Sequence, residues 1–467
     1  MFHFIAKGFS NREDLQNRRP NPGTTRIQRR EIPPIPKQLI ENRAPIDRAI
    51  LVGAPTKDVS QRVSEEHLEE LARLTHTAGG EVAATLRQRI DRPSPRYFIG
   101  EGKAQELKNL LEASEANLVI FDEELSPAQG KNLEDFLGVR VLDRPELILD
   151  IFATRARSRE AKLQVELAQL EYLLPRLRRM WSHLSRIRGG IGLRGPGETQ
   201  LETDRRLIGT RISDLKAKLR DVAKARAVQR KARVGEYRAA LVGYTNAGKS
   251  SLLRALSGAD LFVEDRLFAT LDSATRIVDL GSGHQALITD TVGFIRKLPH
   301  HLIASFRSTL EEAREADLLL HVIDASDPDW EEHREVVYEV LDELDLTHRP
   351  QLLVFNKTDL LTHHEEEGLK TRIRTPDKVP AVFVSAHRPE SMYKIRDALK
   401  ARLRAGLYRL RLSLPAGDGE TLAAIYREGE VLAQRSNGSR VEIEARIPEA
   451  LKGRLERMPG LEFLSDS

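Results

Sequence analysis

Apolar positions along the chain fall into two kinds of run. Short unbroken runs read as buried strands, and long runs with alternating steps of four and three read as helices. Ala49–Val52 and Leu118–Phe121 are of the first kind, and Val139–Leu142 reads the same way with Arg140 as its one interruption. Helix-like stretches around Ser64–Ala78, Gly102–Ala113 and Ser126–Phe136 alternate with them, which predicts a small α/β domain over residues 46–154. Tyr97–Lys103 reads as a turn opening a helix. The second kind begins at Leu163 and continues through Leu167, Leu170, Leu174, Leu177, Trp181 and Leu184. After a glycine-rich break it resumes at Leu201, Ile208, Ile212, Leu215, Leu219 and Val222. Two long helices folding back as an antiparallel coiled-coil hairpin are predicted over 155–235, with Pro175 kinking the first.

Strand-like runs return at Ala239–Val242, Ala286–Asp290, Gln351–Phe355 and Ala381–Val384, with helix at Ser251–Leu256. They predict a mostly parallel sheet with helices on both faces over 236–405. Leu410–Leu414, a hairpin signal at Asn437-Gly438 between Val431–Arg435 and Arg440–Ala445, and a helix opening at Pro448 give a small α+β domain over 406–467. Residues 1–45, rich in Pro, Arg and Asn, are expected to be a disordered basic extension. The fold class is therefore multidomain α/β.

Five segments that punctuate the 236–405 region carry chemistry. Gly243, Tyr244, Thr245, Asn246, Ala247, Gly248, Lys249 and Ser250 fit the phosphate-loop pattern G-x-x-x-x-G-K-[ST], and Ser251 continues into the helix. The glycines let backbone N–H groups face phosphate oxygens, Lys249 reaches the β- and γ-phosphates, and the Ser250 hydroxyl ligates Mg²⁺. Asp290, followed by Thr291, Val292 and Gly293, ends a strand where an acidic residue holds the metal through water. Gly293 offers its N–H to the γ-phosphate. Asn356, Lys357, Thr358 and Asp359 select the base: the Asp359 carboxylate accepts from the two guanine donors, which adenine lacks. Val384, Ser385 and Ala386 contact the guanine oxygen through backbone.

Thr270, within Phe268, Ala269, Thr270, Leu271 and Asp272, is expected to complete the magnesium shell only while a γ-phosphate is present, with Thr275 as its competitor. Lys249, Thr270 and Gly293 are the expected catalytic set. Phe294 follows Gly293 where many GTPases carry a water-orienting glutamine, so the chain alone is expected to hydrolyse GTP slowly.

Composition narrows the setting. There is no cysteine among the 467 residues, which excludes disulfides and thiol chemistry. No run of eighteen apolar residues occurs, and the first seven are too short and mixed for a signal peptide. A cytoplasmic, monomeric protein without membrane insertion is expected. Residues 151–240 hold 22 Lys and Arg against 9 Asp and Glu, a local excess of +13, so the rest carries −9 of the overall +4. Seventeen of those cations are arginine, the residue suited to phosphate groups. Arg186, Arg188 and Arg194, around a glycine-rich tip, are the RNA-contact candidates.

The order of modules and several strings resemble the HflX family of ribosome-associated GTPases. The strings are Leu125–Gln129 with Asn132–Glu134, Leu163–Leu167, Gly195–Gln200 with Glu202–Arg206, and Phe268–Asp272. The resemblance runs from about residue 47 to the C-terminus. It implies a factor that binds the large ribosomal subunit and its rRNA in the GTP form. It further implies that the α/β domain and hairpin tip reach toward the peptidyl-transferase region and help split stalled 70S ribosomes. By motif match Ser250 and Thr270 are its magnesium ligands, and a hydrophobic residue at Phe294 is usual.

Overall fold

Ile50, Leu51 and Val52 are wholly buried, as a strand with helices on both faces requires. They lie in β1 (Arg48–Gly53) of a parallel four-stranded sheet ordered β2-β1-β3-β4, with β2 at Glu81–Arg87, β3 at Leu118–Phe121 and β4 at Arg140–Asp143. The helices are α1 (Gln61–Ala78), α2 (Glu101–Ser114), α3 (Pro127–Leu137) and α4 (Arg144–Arg155). Leu71 and Leu74 of α1 and Ile148 and Phe152 of α4 join Leu51 on one face. Leu107, Leu111 and Leu133 cover Ile50 and Val52 on the other. Ser126 opens α3 through a capping box with Gln129, and Pro127 follows in the first turn. The computed structural model describes residues 46–180, 196–231, 237–259, 264, 266–281, 284–298, 307–373 and 379–464.

Two long helices follow, α5 (Arg159–Met180) and α6 (Pro196–Lys231). Leu163, Leu167, Leu170 and Leu174 meet Ile208, Ile212, Leu215 and Leu219, the seam predicted from spacing. Glu166–Arg211 and Glu171–Lys216 ion pairs of 2.7 and 2.8 Å flank it. The helix α5 continues through Pro175. Its inner side is tied to the first sheet, where Asp143 accepts from Tyr172 Oη at 2.6 Å and Arg176 Nη2 at 2.7 Å. Trp181, Leu184, Arg186, Arg188 and Arg194 lie outside the described residues, as does the 1–45 extension.

The six-stranded sheet is ordered β10-β9-β8-β5-β7-β6, and all neighbours are parallel except β6 with β7. Its strands are β5 (Tyr237–Gly243), β6 (Ala274–Gly281), β7 (His284–Asp290), β8 (Leu318–Asp324), β9 (Gln351–Asn356) and β10 (Ala381–Phe383). Helices α7 (Lys249–Ser257), α8 (Arg307–Arg314), α9 (Trp330–Glu343), α10 (His363–Ile373) and α11 (Tyr393–Ala405) complete it. Leu252, Ile395 and Leu399 cover one face against Leu241 and Leu320. On the other face Ala240, Val242, Tyr244 and Val337 belong to the same apolar cluster as Leu51 and Phe152. The two sheets therefore share one continuous hydrophobic core.

The last sheet is antiparallel, ordered β12-β13-β11-β14, from β11 (Tyr408–Pro415), β12 (Glu430–Asn437), β13 (Arg440–Ile447) and β14 (Glu462–Leu464). With α12 (Gly419–Glu428) and α13 (Glu449–Leu455) it encloses a core of its own around Leu412, Ile425, Ile443 and Leu451. Asn437 pairs with Arg440, so Gly438 and Ser439 form the turn, and Gly438 takes a positive φ of 65°. Among the described residues no helix is long and apolar enough to cross a membrane.

Candidate functional site

Gly243 ends β5 where the strand order reverses, with β7 on one side and β8 on the other; in open α/β sheets this is where ligands bind. The loop after it leads into α7 at Lys249. The buried Lys249 ammonium donates to the backbone oxygens of Gly243 at 3.0 Å and Tyr244 at 2.8 Å, and so lies across the loop. Burial pushes its pKa down to about 8, with Asp290 opposing. The segment after β7 is stitched to the same loop: Thr245 N donates to Phe294 O at 2.7 Å and Phe294 N to Gly243 O at 3.1 Å. A Cβ on Gly293 would stand 2.9 Å from Thr245 Cα and 3.0 Å from Lys249 Nζ, so this close approach admits only glycine. Thr291 donates its hydroxyl to Leu241 O at 2.6 Å, and Val292 is buried in the shared core.

Three hard oxygen donors converge beside the lysine. Ser250 Oγ lies 2.6 Å from Thr270 Oγ1 and donates to Asp290 Oδ2 at 2.5 Å. Burial raises the Asp290 pKa, while Lys249 and Ser250 pull it back. Asp290 Oδ1 is buried with no hydrogen-bond partner among the described residues. An oxygen-only donor set with an unsatisfied carboxylate oxygen fits Mg²⁺, which takes one or two protein ligands and keeps waters. Thr275 is held elsewhere, by Thr289 Oγ1 at 2.9 Å across the β6–β7 ladder.

The base-selecting segments meet at Asn356. Its Nδ2 donates to Ala247 O at 2.9 Å and its Oδ1 accepts from Ala386 N at 3.1 Å, joining the phosphate loop to the Val384–Ala386 segment. Thr358 donates its hydroxyl to Val384 O at 3.1 Å, and Ser385 Oγ accepts from His387 N at 3.1 Å. Lys357 pairs with Asp324 at 2.7 Å. Asp359 Oδ1 is buried and has no hydrogen-bond partner among the described residues, a carboxylate oxygen short of donors.

A crevice lined by Thr245, Asn246, Gly248, Lys249, Ser250, Ser251, Phe268, Ala269, Thr270, Thr291 and Gly293 also takes in Glu264 and Arg266, which no sequence motif marked. Asn246, Phe268, Lys297 and Lys357 hold positive φ in the loops around it, backbone strain of the kind that gathers at functional sites. Of the Phe268–Asp272 string, Leu271 and Asp272 do not line the crevice. Phe268 and Leu271 bury their side chains in the shared core, where the Phe268 ring stands edge-on to Phe152 at 4.7 Å. Asp272 turns to the start of α5, accepting from Arg157 N at 3.0 Å, Ser158 N at 3.1 Å and the Ser158 hydroxyl.

Three family models match in succession: a GTP-binding GTPase N-terminal region over residues 65–153, a GTP-binding GTPase middle region over 155–233, and a 50S ribosome-binding GTPase over 238–357. Curated relatives include the GTPase HflX of Alkalihalophilus pseudofirmus, 46% identical over 85% of this chain and 92% of the relative. The GTPase HflX of Escherichia coli is 44% identical over 82% of this chain and 90% of its own length. Among solved structures, a GTP-binding protein from Sulfolobus solfataricus in complex with GDP is 25% identical over 77% of this chain and 100% of that one, with a TM-score of 0.40. A nucleotide-loop architecture and relatives at this identity over most of both chains lead to one conclusion: the chain is a GTPase and belongs to the HflX family.

Proposed function

We propose that the chain is a Mg²⁺-dependent GTPase whose GTP form binds the large ribosomal subunit and its rRNA and separates 70S ribosomes, acting as a monomer in the cytoplasm. The observation that carries the nucleotide reading is the convergence of Lys249, Ser250, Thr270 and Gly293 at one crevice, with Asp290 hydrogen-bonded to Ser250. Loop N–H groups, Lys249 and Gly293 bind and orient the γ-phosphate; Ser250 and Thr270 hold the metal directly and Asp290 through water. Bound Mg²⁺ neutralises charge that develops on the phosphate oxygens. Asp359 reads the guanine donors, and Ser385 and Ala386 its oxygen. A water attacks the γ-phosphorus directly, the bond to the β–γ bridging oxygen breaks, and no covalent intermediate forms.

Phe294, 2% exposed, has no polar side-chain atom with which to orient that water. Turnover is therefore slow until a partner completes the site. The ribosomal reading is supported by the 50S ribosome-binding GTPase model over residues 238–357 and by the +13 excess of residues 151–240.

The test is co-sedimentation with 70S ribosomes and with isolated 50S subunits, the chain carrying GDP or a non-hydrolysable GTP analogue and Lys249→Ala as control. Binding to 50S only with the analogue, with loss of the 70S peak, is the expected result. Preference for immature particles would point to an assembly factor. No binding in any nucleotide state would leave a GTP switch whose helical pair docks a protein.

A further inference from the structure

Glu70, on α1 of the first sheet, is fully buried at a junction that the nucleotide motifs do not include. Its carboxylate pairs with Arg144, accepts from the Tyr244 hydroxyl, and lies 3.4 Å from Arg296 Nη2. Tyr244 is the second residue of the phosphate loop, and Arg296 stands three residues after Gly293. The Tyr244 hydroxyl accepts in turn from Arg296 N at 3.1 Å. The same tyrosine's backbone oxygen receives Lys249 Nζ, and its ring stacks on His333 with centroids 3.9 Å apart. One phenol thus touches both nucleotide loops, and the group that fixes it comes from outside the six-stranded sheet.

We infer that Glu70 is a positioning residue for GTP hydrolysis, acting through Tyr244 and Arg296 to hold the phosphate loop in register with the Gly293 segment. The inference rests on the reading of those loops as the phosphate site. A buried carboxylate between two guanidiniums and a hydroxyl is strongly directional. Without it, Tyr244 Oη and Arg296 lose their common partner, and only the backbone bonds of Thr245 and Gly243 to Phe294 are left to hold Lys249 against Gly293. A displacement of that kind lowers the rate of chemistry more than the affinity for nucleotide.

The experiment uses the full chain and reads GTP turnover beside the thermal midpoint. Tyr244→Phe keeps the ring on His333 and removes only the hydroxyl. Glu70→Ala removes the acceptor. Glu70→Gln keeps an oxygen that accepts from Tyr244 but drops the charge facing Arg144 and Arg296. The expected kcat is about tenfold lower in Tyr244→Phe and in Glu70→Ala, with KM for GTP within about twofold of the parent. The double variant is expected to be no slower than either single one, because both break the same contact. Glu70→Gln keeps most of the turnover yet melts lower, since Arg144 and Arg296 each lose one of two carboxylate partners and keep only Asp122 and Glu332. Turnover that follows the melting midpoint across all variants, or losses that multiply in the double variant, overturns the inference. Parental turnover in Lys249→Ala would instead overturn the reading of the phosphate site itself.

Discussion

In the proposed reading, a single atom of Asp359 sets base specificity. One carboxylate oxygen is buried without a donor among the described residues, and a guanine ring would supply what it lacks. Replacing it by an amide inverts half of that pattern: Asp359→Asn presents an N–H₂ where guanine also presents one. GTP affinity is expected to fall at least a hundredfold, as when a buried polar site meets a mismatched ligand. Xanthosine triphosphate, with a carbonyl at the position of the guanine amine, is expected to bind better to this variant than GTP does. Competition against a fluorescent nucleotide measures both. Unchanged preference for GTP would remove Asp359 from base recognition.

At the scale of elements, the Thr270 loop and the helical pair are joined by one carboxylate. Asp272 accepts three hydrogen bonds at the start of α5, where Ser158 also caps Ala161 N at 3.0 Å. Asp272→Ala is expected to destabilise the protein by about 1 kcal/mol, the usual scale for a lost helix cap. A denaturant melt measures it, and an unchanged midpoint would show the cap to be idle. The link was not legible in the sequence, which placed Asp272 with the nucleotide by adjacency to Thr270. Local signals served well where the physics is local: the Asn437-Gly438 turn, the helix opening near Ser126 and the α5–α6 seam were all readable. Elements without such a signal were passed over. The strand β2 is an edge strand with one fully buried residue, Leu86, and so lacks a clear apolar run. The helix α4 begins directly after Asp143, which ends β4 and caps the helix at once, leaving no loop to mark the change. The nucleotide loops were legible because their spacing is set by phosphate geometry. Glu70 was not, since it lies 174 residues from Tyr244 and nothing along the chain links them.

For the whole molecule, the continuous core between the first two sheets has a thermodynamic consequence. Leu51 and Phe152 share an apolar cluster with Tyr244 and Phe294, whereas Leu412 and Ile443 belong to another. A ligand that stabilises the phosphate loop stabilises whatever unfolds with it. Adding GDP is therefore expected to slow amide hydrogen exchange in β1 and β3 along with β5, and to leave β11 and β13 near their free rates. Protection confined to β5–β10 would show that the first sheet opens independently.

The capped helix α5 also has mechanical meaning. It holds 22 residues, so its far end lies about 33 Å from the cap. Asp143 grips it midway through Tyr172 and Arg176, which makes helix and first sheet a single stiff boom. Asp272, its footing, is two residues from Thr270. A rotation of about 5° at that footing would sweep the distal end through about 3 Å over a lever of that length. In the proposed reading, the loss of one phosphate is thereby geared up into a stroke at the distal end of α5.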